Sequence, residues 1–190
     1  MRLVLASASP RRLDLLARIG VTPDLVVPAE IDESVPKREL PRNHALRLAR
    51  EKAEAVAARE PDSLVLAADT VVAVGRRILP KVEDEATLRA CMKLLSGRRH
   101  RVLTGIALAV PGGGIRERLG ETMIAMKRLS DEEIDYYASH GEWRGKAGGY
   151  ALQGYGEVYV RHIAGSYSNV VGLPLAETRL LLKSAGYPIA

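Results

Sequence analysis

Phenylalanine is absent from this chain of 190 residues, and aromatic residues amount to only 4%. The seven tyrosines gather mainly between Tyr136 and Tyr167, and a net charge of +5 is carried without a long basic run. Nucleic-acid binders combine such charge with a concentrated patch and interleaved aromatics. A small polyanion therefore explains the charge at least as well, and nucleic acid is not the expected partner. No apolar run approaches the roughly 18 residues of a membrane span. The start, Met1-Arg-Leu-Val-Leu-Ala6, looks like a signal peptide, yet Pro10, Arg11, Arg12 and Asp14 interrupt it before an apolar region develops. Cysteine occurs once. Cys91 excludes an intramolecular disulfide, fits a reducing cytoplasm, and lies beside Leu88, Leu94 and Leu95, where a core thiol is expected.

Familiar catalytic signatures are missing as well. No Gly-x-Gly-x-x-Gly follows the first strand, which leaves a dinucleotide fold of that type without support. Gly141-Glu-Trp-Arg-Gly-Lys-Ala147 has three residues between its glycines where a Walker A has four, and Ala147 stands where that motif needs Ser or Thr. His44, His100, His140 and His162 lack zinc-ligand spacing. Ser7 and Ser9 lack a nucleophile elbow and an evident base. No repeat or linker divides the chain, so one domain over residues 1–190 is expected.

Present instead is an alternation of strand and helix patterns. Short apolar strands are expected at Leu3–Ala6 and Leu25–Pro28, followed by the acidic loop Ala29–Pro36. Residues Pro41–Arg59 place Ala45, Leu48, Ala49, Lys52 and Val56 on one helical stripe. Leu64–Val74 is apolar almost throughout, as a central strand is. A helix is predicted over Asp84–Leu95, and His100–Ala109 and Ile115–Lys127 read as strands joined by the hairpin signal Pro111-Gly-Gly-Gly114. Ser130 and Glu133 form a capping box for the next helix. The glycine-rich segment Gly145–Gly156 is too irregular for helix or simple strand; then come a strand at Glu157–Ile163, a loop at Gly165–Pro174, and a helix at Pro174–Ala185. This order predicts an α/β fold with a mixed sheet flanked by helices.

Two places carry chemistry. At Ser9-Pro-Arg-Arg12 a serine N-cap and a proline suited to the first helical position open a helix whose first turn holds two arginines. That end is already positive, so the arginines suit an anion, most simply a phosphate; the plain alternative is that they face water or distant carboxylates. The other place is Asp69 and Thr70, which interrupt the most β-like segment. A buried carboxylate must be paired, metal-bound or open to a cleft. Lys52 puts an ammonium on an apolar stripe, where it either snorkels to the surface or reaches an anion. Together Glu30, Asp32, Glu33 and Asp69, with Arg11, Arg12, Lys52, Lys81 and Lys146, form an inventory suited to phosphoryl transfer to water.

Read together, Ala6-Ser-Ala-Ser-Pro-Arg-Arg12, Ala68-Asp-Thr70, Ser96-Gly-Arg-Arg-His-Arg-Val102, Gly145-Lys-Ala-Gly-Gly-Tyr-Ala-Leu-Gln153 and Gly165-Ser-Tyr-Ser-Asn-Val-Val-Gly-Leu-Pro174 stand in the order of the Maf family. The chain resembles that family over essentially its whole length. The resemblance implies two lobes around a cleft, a fold similar to inosine triphosphate pyrophosphatase, and cleavage of nucleoside triphosphates to monophosphate and pyrophosphate with Mg²⁺ or Mn²⁺. It implies phosphate binding by Ser9, Arg11, Arg12 and the lysines Lys52 and Lys81. It makes Asp69 the general base and places Glu33 and Lys81 in the catalytic group, with Asp69 and Glu33 as metal ligands. Arg12, Thr70 and Gln153 match the branch acting on dTTP and UTP. One departure stands out: Lys81-Val82 replaces the family's usual Lys-Pro. The resemblance also implies a homodimer. Because the family was formerly named for septum formation, a nucleotide- or nucleic-acid-binding regulator of cell division stays as the alternative.

Overall fold

The computed structural model describes residues 1–189. Its strands are β1 (Leu3–Ala6), β2 (Leu25–Val26), β3 (Leu64–Val74), β4 (Arg77–Ile78), β5 (Lys81–Val82), β6 (Arg99–Val110), β7 (Gly114–Met126), β8 (Lys146–Ala147) and β9 (Val160–Ala164). Its helices are α1 (Pro10–Arg18), α2 (Pro41–Ala57), α3 (Glu85–Leu95), α4 (Asp131–His140), α5 (Tyr167–Val171) and α6 (Leu175–Ser184). Seven strands form one sheet in the order β2-β1-β3-β6-β7-β9, with β4 beside β3. The first three are parallel and the rest antiparallel, and β5 and β8 form a separate two-stranded ribbon. The predicted mixed α/β sheet is therefore found.

Alternation along β3 sorts its side chains between two layers. Val65 and Ala67 pack under α2 with Ala49, Ala53, Val56 and Ala107; Val71 and Ala73 continue that face with Ala45 and Leu103. Small residues let α2 sit close to the sheet. The approach is tightest at Gly105, where a Cβ would lie 2.3 Å from the Ala45 carbonyl oxygen. The opposite layer contains two apolar cores. One joins Leu15 and Leu16 of α1 and Leu181 and Leu182 of α6 to Leu3, Leu5, Leu66 and Ile106. The other gathers Leu88 and Met92 of α3, Tyr137 of α4, Trp143, Tyr150 and Tyr159. Among the described residues no helix is long and apolar enough to cross a membrane.

Local signals hold where the chain closes its own hydrogen bonds. The Ser130–Glu133 capping box forms, and β6 and β7 pair continuously from Arg99↔Ala125 to Val110↔Gly114 around the glycine turn. Two expectations change. The loop expected at Gly165–Pro174 contains α5, whose start is capped by the Ser166 hydroxyl accepting from the Asn169 N–H. The strand expected from Glu157 begins only at Val160, because Tyr155–Tyr159 turns as a 3₁₀ helix. Gly145–Gly156 is irregular as predicted, apart from the two residues of β8.

Candidate active site

The site arises from a gap in strand pairing. Parallel β1 ends opposite Ala67, and β4 joins β3 only at Ala73, so among the described residues Ala68–Val72 has no strand on that side. The chain leaving β1 crosses this open edge through Ser7-Ala-Ser9 into α1, the place where open parallel sheets bind ligands. A cleft of about 370 Å³ results, lined by Ser9–Arg12 and Gly172 together with Lys81, Lys146, Tyr150 and Gln153.

At its centre stands an ion chain. Asp69 shares the α2 face of β3, and the buried stripe of α2 brings Lys52 to it: Lys52 Nζ donates to Asp69 Oδ1 at 2.7 Å. The same ammonium lies 2.6 Å from Glu33 Oε1, and Lys81 Nζ donates to Glu33 Oε2. Lys52 thus reaches inward rather than snorkelling, and the anions it meets are carboxylates. Asp69 Oδ2 has no protein hydrogen-bond partner among the described residues. Within the acidic loop Glu30 and Asp32 remain exposed, with Asp32 accepting from Ser34, and only Glu33 turns in. The loop is fastened to α2 by Arg47, which donates to the Ser34 carbonyl and to Glu39. Burial raises the Glu33 pKa, but hydrogen bonds from Lys52 and Lys81 outweigh it and bring the carboxyl down to about 2. Val82, in place of the family's proline, is fully buried in the core beneath the ribbon, and Lys81 still reaches Glu33.

The helix start differs from expectation in one respect. Ser9 occupies the extended N-cap position, but its hydroxyl makes no capping bond; its backbone N–H donates instead to Ser7 Oγ. Arg12 is fixed by three oxygens. Nε donates to the Gly172 carbonyl at 2.9 Å, Nη1 to Ser7 Oγ at 2.9 Å, and Nη2 more weakly to Thr70 Oγ1 at 3.5 Å. Each terminal nitrogen keeps a second N–H for a ligand. Arg11 makes no protein hydrogen bond among the described residues. Burial pulls both guanidinium groups below the usual arginine value; for Arg12 the charge of Asp69 opposes this and that of Arg11 adds to it.

Thr70 points to the opposite layer from Asp69, as alternation requires, and its hydroxyl lies 2.9 Å from that of Thr104, which donates to the Asn169 carbonyl. Asn169 is fully buried, and its amide donates to Val102 O and Thr122 Oγ1. This network positions Gly172, whose φ of +128° suits glycine, to hold Arg12. Gln153 sits exposed at the rim of the cleft. Arg12 and Thr70 therefore touch, while Gln153 faces them without a bond to either. Sequence reasoning missed Ser7, Thr104, Asn169 and Tyr150 as parts of the site, although all lie within the ordered motifs or beside them. Tyr150 lines the cleft, and its hydroxyl is 2.7 Å from Nε2 of buried His100.

No group of three metal-ligating side chains exists among the described residues. Asp69 and Glu33, both at one ammonium, are the pair able to hold a hard cation. Two carboxylates fit Mg²⁺, which commonly takes one or two from protein and the rest of its oxygens from phosphates and water.

A family model described as Maf-like protein matches residues 2–185. A dTTP/UTP pyrophosphatase from Caulobacter vibrioides is 63% identical over 185 residues, covering 97% of this chain and 96% of its own. Another from Novosphingobium aromaticivorans is 60% identical over 187 residues, covering 98% and 93%. Among solved structures, a HAM1 protein from Coxiella burnetii aligns over 97% of this chain and 100% of its own, with a TM-score of 0.54 at 16% identity. That likeness is one of fold, and it agrees with the architecture implied by the sequence motifs. A family match spanning all but the chain's ends, with full-length relatives at this identity, makes the chain a member of the Maf-like protein family.

Proposed function

We propose that this chain hydrolyses nucleoside triphosphates to the monophosphate and pyrophosphate, with dTTP and UTP as substrates. The observation that carries the reading is the buried Asp69 carboxylate, held by Lys52 beside Glu33 in a cleft also lined by a helix start with two arginines. A pure anion-binding surface gains nothing from a buried carboxylate, whereas hydrolysis can use one to take a proton from water. The names of the full-length relatives support the same reaction and supply the pyrimidine preference.

In this mechanism Lys52 holds Asp69 through Oδ1 and leaves Oδ2 toward water. The water oxygen bonds to the α-phosphorus and its proton passes to Asp69. The bond from the α-phosphorus to the bridging oxygen breaks, and the electron pair leaves with pyrophosphate. Asp69 and Glu33 would hold Mg²⁺ or Mn²⁺, which when bound polarises phosphoryl oxygen and acidifies water. Arg12, fixed by Gly172, Ser7 and Thr70, offers its remaining donors to phosphate. Gln153 offers a donor and an acceptor at the rim, enough to read a pyrimidine edge.

The test is pyrophosphate release from a panel of triphosphates, with and without Mg²⁺. The parent should act on dTTP and UTP, and Asp69→Asn should keep the fold and lose about 10²- to 10⁴-fold in kcat. Turnover by that variant near the parental rate would refute the base assignment. No pyrophosphate from any triphosphate, together with strongly salt-dependent duplex binding, would favour the regulator instead.

A further inference from the structure

The cations of the cleft fall into two groups. Lys52 and Lys81 are each bonded to carboxylates, so the charges of Asp69, Glu33, Lys52 and Lys81 cancel within one ion chain. Arg11, Arg12 and Lys146 have no such partner among the described residues, Arg12 being held by the neutral oxygens of Gly172, Ser7 and Thr70. Lys146 is half-buried, and among the described residues its ammonium donates only to the backbone carbonyl of Glu142. The Glu142 carboxylate is turned away to the N–H groups of Tyr155 and Gly156, at 3.1 and 2.9 Å. Arg11 lines the cleft from α1 and Lys146 lines it from the ribbon strand β8. Burial lowers the pKa of both, and for Lys146 the charge of Arg11 lowers it further while the charge of Glu142 opposes this without outweighing it. Two partly desolvated cations lining one cleft, neither ion-paired to a carboxylate among the described residues, are unfavourable in the free protein, and an anion in the cleft relieves both costs.

We infer that Lys146 is a substrate-binding residue that, with Arg11, holds the β- and γ-phosphates and then the departing pyrophosphate. The inference rests on the proposed hydrolysis. It also divides the lysines differently from the sequence motifs: Lys52 and Lys81 serve the carboxylate centre at the α-phosphorus, and Lys146 joins Arg11 and Arg12 in supplying the uncompensated positive charge for the phosphates. When the bond from the α-phosphorus to the bridging oxygen breaks, the electron pair moves onto pyrophosphate, between these two side chains. Because one stands on α1 and the other on the ribbon, the same anion bridges these two elements.

The two products serve as probes, because neither is turned over. Pyrophosphate and UMP are titrated calorimetrically in Mg²⁺ buffer into the parent, Lys146→Met, Lys146→Arg, and Lys93→Met as a control for net charge. Lys93 is exposed on α3 and among the described residues pairs only with Asp131. Lys146→Met should weaken pyrophosphate binding about 10- to 100-fold, the loss of one charge-assisted contact, and leave UMP affinity unchanged. Lys146→Arg should recover most of it, and Lys93→Met should match the parent. Melting of Lys146→Met at or above the parental temperature would show that the loss is not misfolding. Unchanged pyrophosphate affinity in Lys146→Met, or an equal loss for UMP, overturns the inference even if the parent hydrolyses dTTP and UTP normally. A parent that hydrolyses neither overturns the functional reading, and this assignment with it.

Discussion

Lys52→Met removes the ammonium at the centre of the ion chain and keeps most of the buried stem. Nζ lies 2.7 Å from Asp69 Oδ1 and 2.6 Å from Glu33 Oε1, and the Lys52 and Asp69 side chains are 9% and 7% exposed. Taking one partner from a buried pair leaves the other charged and unpaired, at a cost of roughly 3–5 kcal/mol. Glu33 is 35% exposed and keeps Lys81, so its share is screened, and about 3 kcal/mol is expected at pH 7. The loss has a pH signature. A carboxyl held down to about 2 against an ordinary 4.5 contributes stability that is full above pH 4.5 and fades as pH falls toward 2. In the variant part of that contribution is gone, so the gap between parent and variant narrows below pH 4.5, by about 1–2 kcal/mol after screening. Urea unfolding followed by the fluorescence of Trp143, the single tryptophan and 1% exposed, reads this at pH 7 and at acid pH. A loss below about 1 kcal/mol at pH 7, or one that stays constant with pH, would refute the reasoning.

Two further changes test the frame around the site. Gly105→Ala puts a Cβ 2.3 Å from the Ala45 carbonyl oxygen, so α2 must lift from the sheet; a loss of about 2–3 kcal/mol is expected, with a fall in kcat because α2 carries Lys52. An unchanged melting temperature would show that the contact yields freely. His100 is 2% exposed, and burial lowers its pKa to about 4 from 6.5. The unfolded chain therefore binds the proton first as pH falls, and stability should drop by about 3 kcal/mol between pH 6.5 and 4. His100→Gln should flatten that part of the stability profile; an equal slope in both proteins would assign it to other groups.

Much of the fold was legible because its signals are short-range. Ser130 and Glu133 cap a helix within four residues, and a glycine turn joins two long strands. The period of α2 puts Lys52 on a buried stripe, and β3 is apolar enough that Asp69 must meet something. The failures have a physical cause of the same kind. Ser9 has the residue type and backbone of an N-cap, but its hydroxyl is left uncommitted. The segment after Gly165 carries no long apolar period, yet it folds as α5 because Ser166 caps it and Asn169 is buried against β6 and β7.

By itself the sequence determined which residues could do chemistry: a carboxylate in an apolar strand, a lysine on an apolar helix face, and arginines at a helix start. Only the tertiary structure decided which of them meet. Lys52 finds Asp69 and Glu33 because β3 lies under α2 and the acidic loop is fastened to that helix. Arg12 is held by a carbonyl 160 residues away, and among the described residues Lys146 has no carboxylate bonded to it because the Glu142 carboxylate accepts from the backbone of Tyr155 and Gly156. Such pairings depend on strand register and on where β1 ends, which leave no periodic trace along the chain, whereas burial and capping act within a few residues and do.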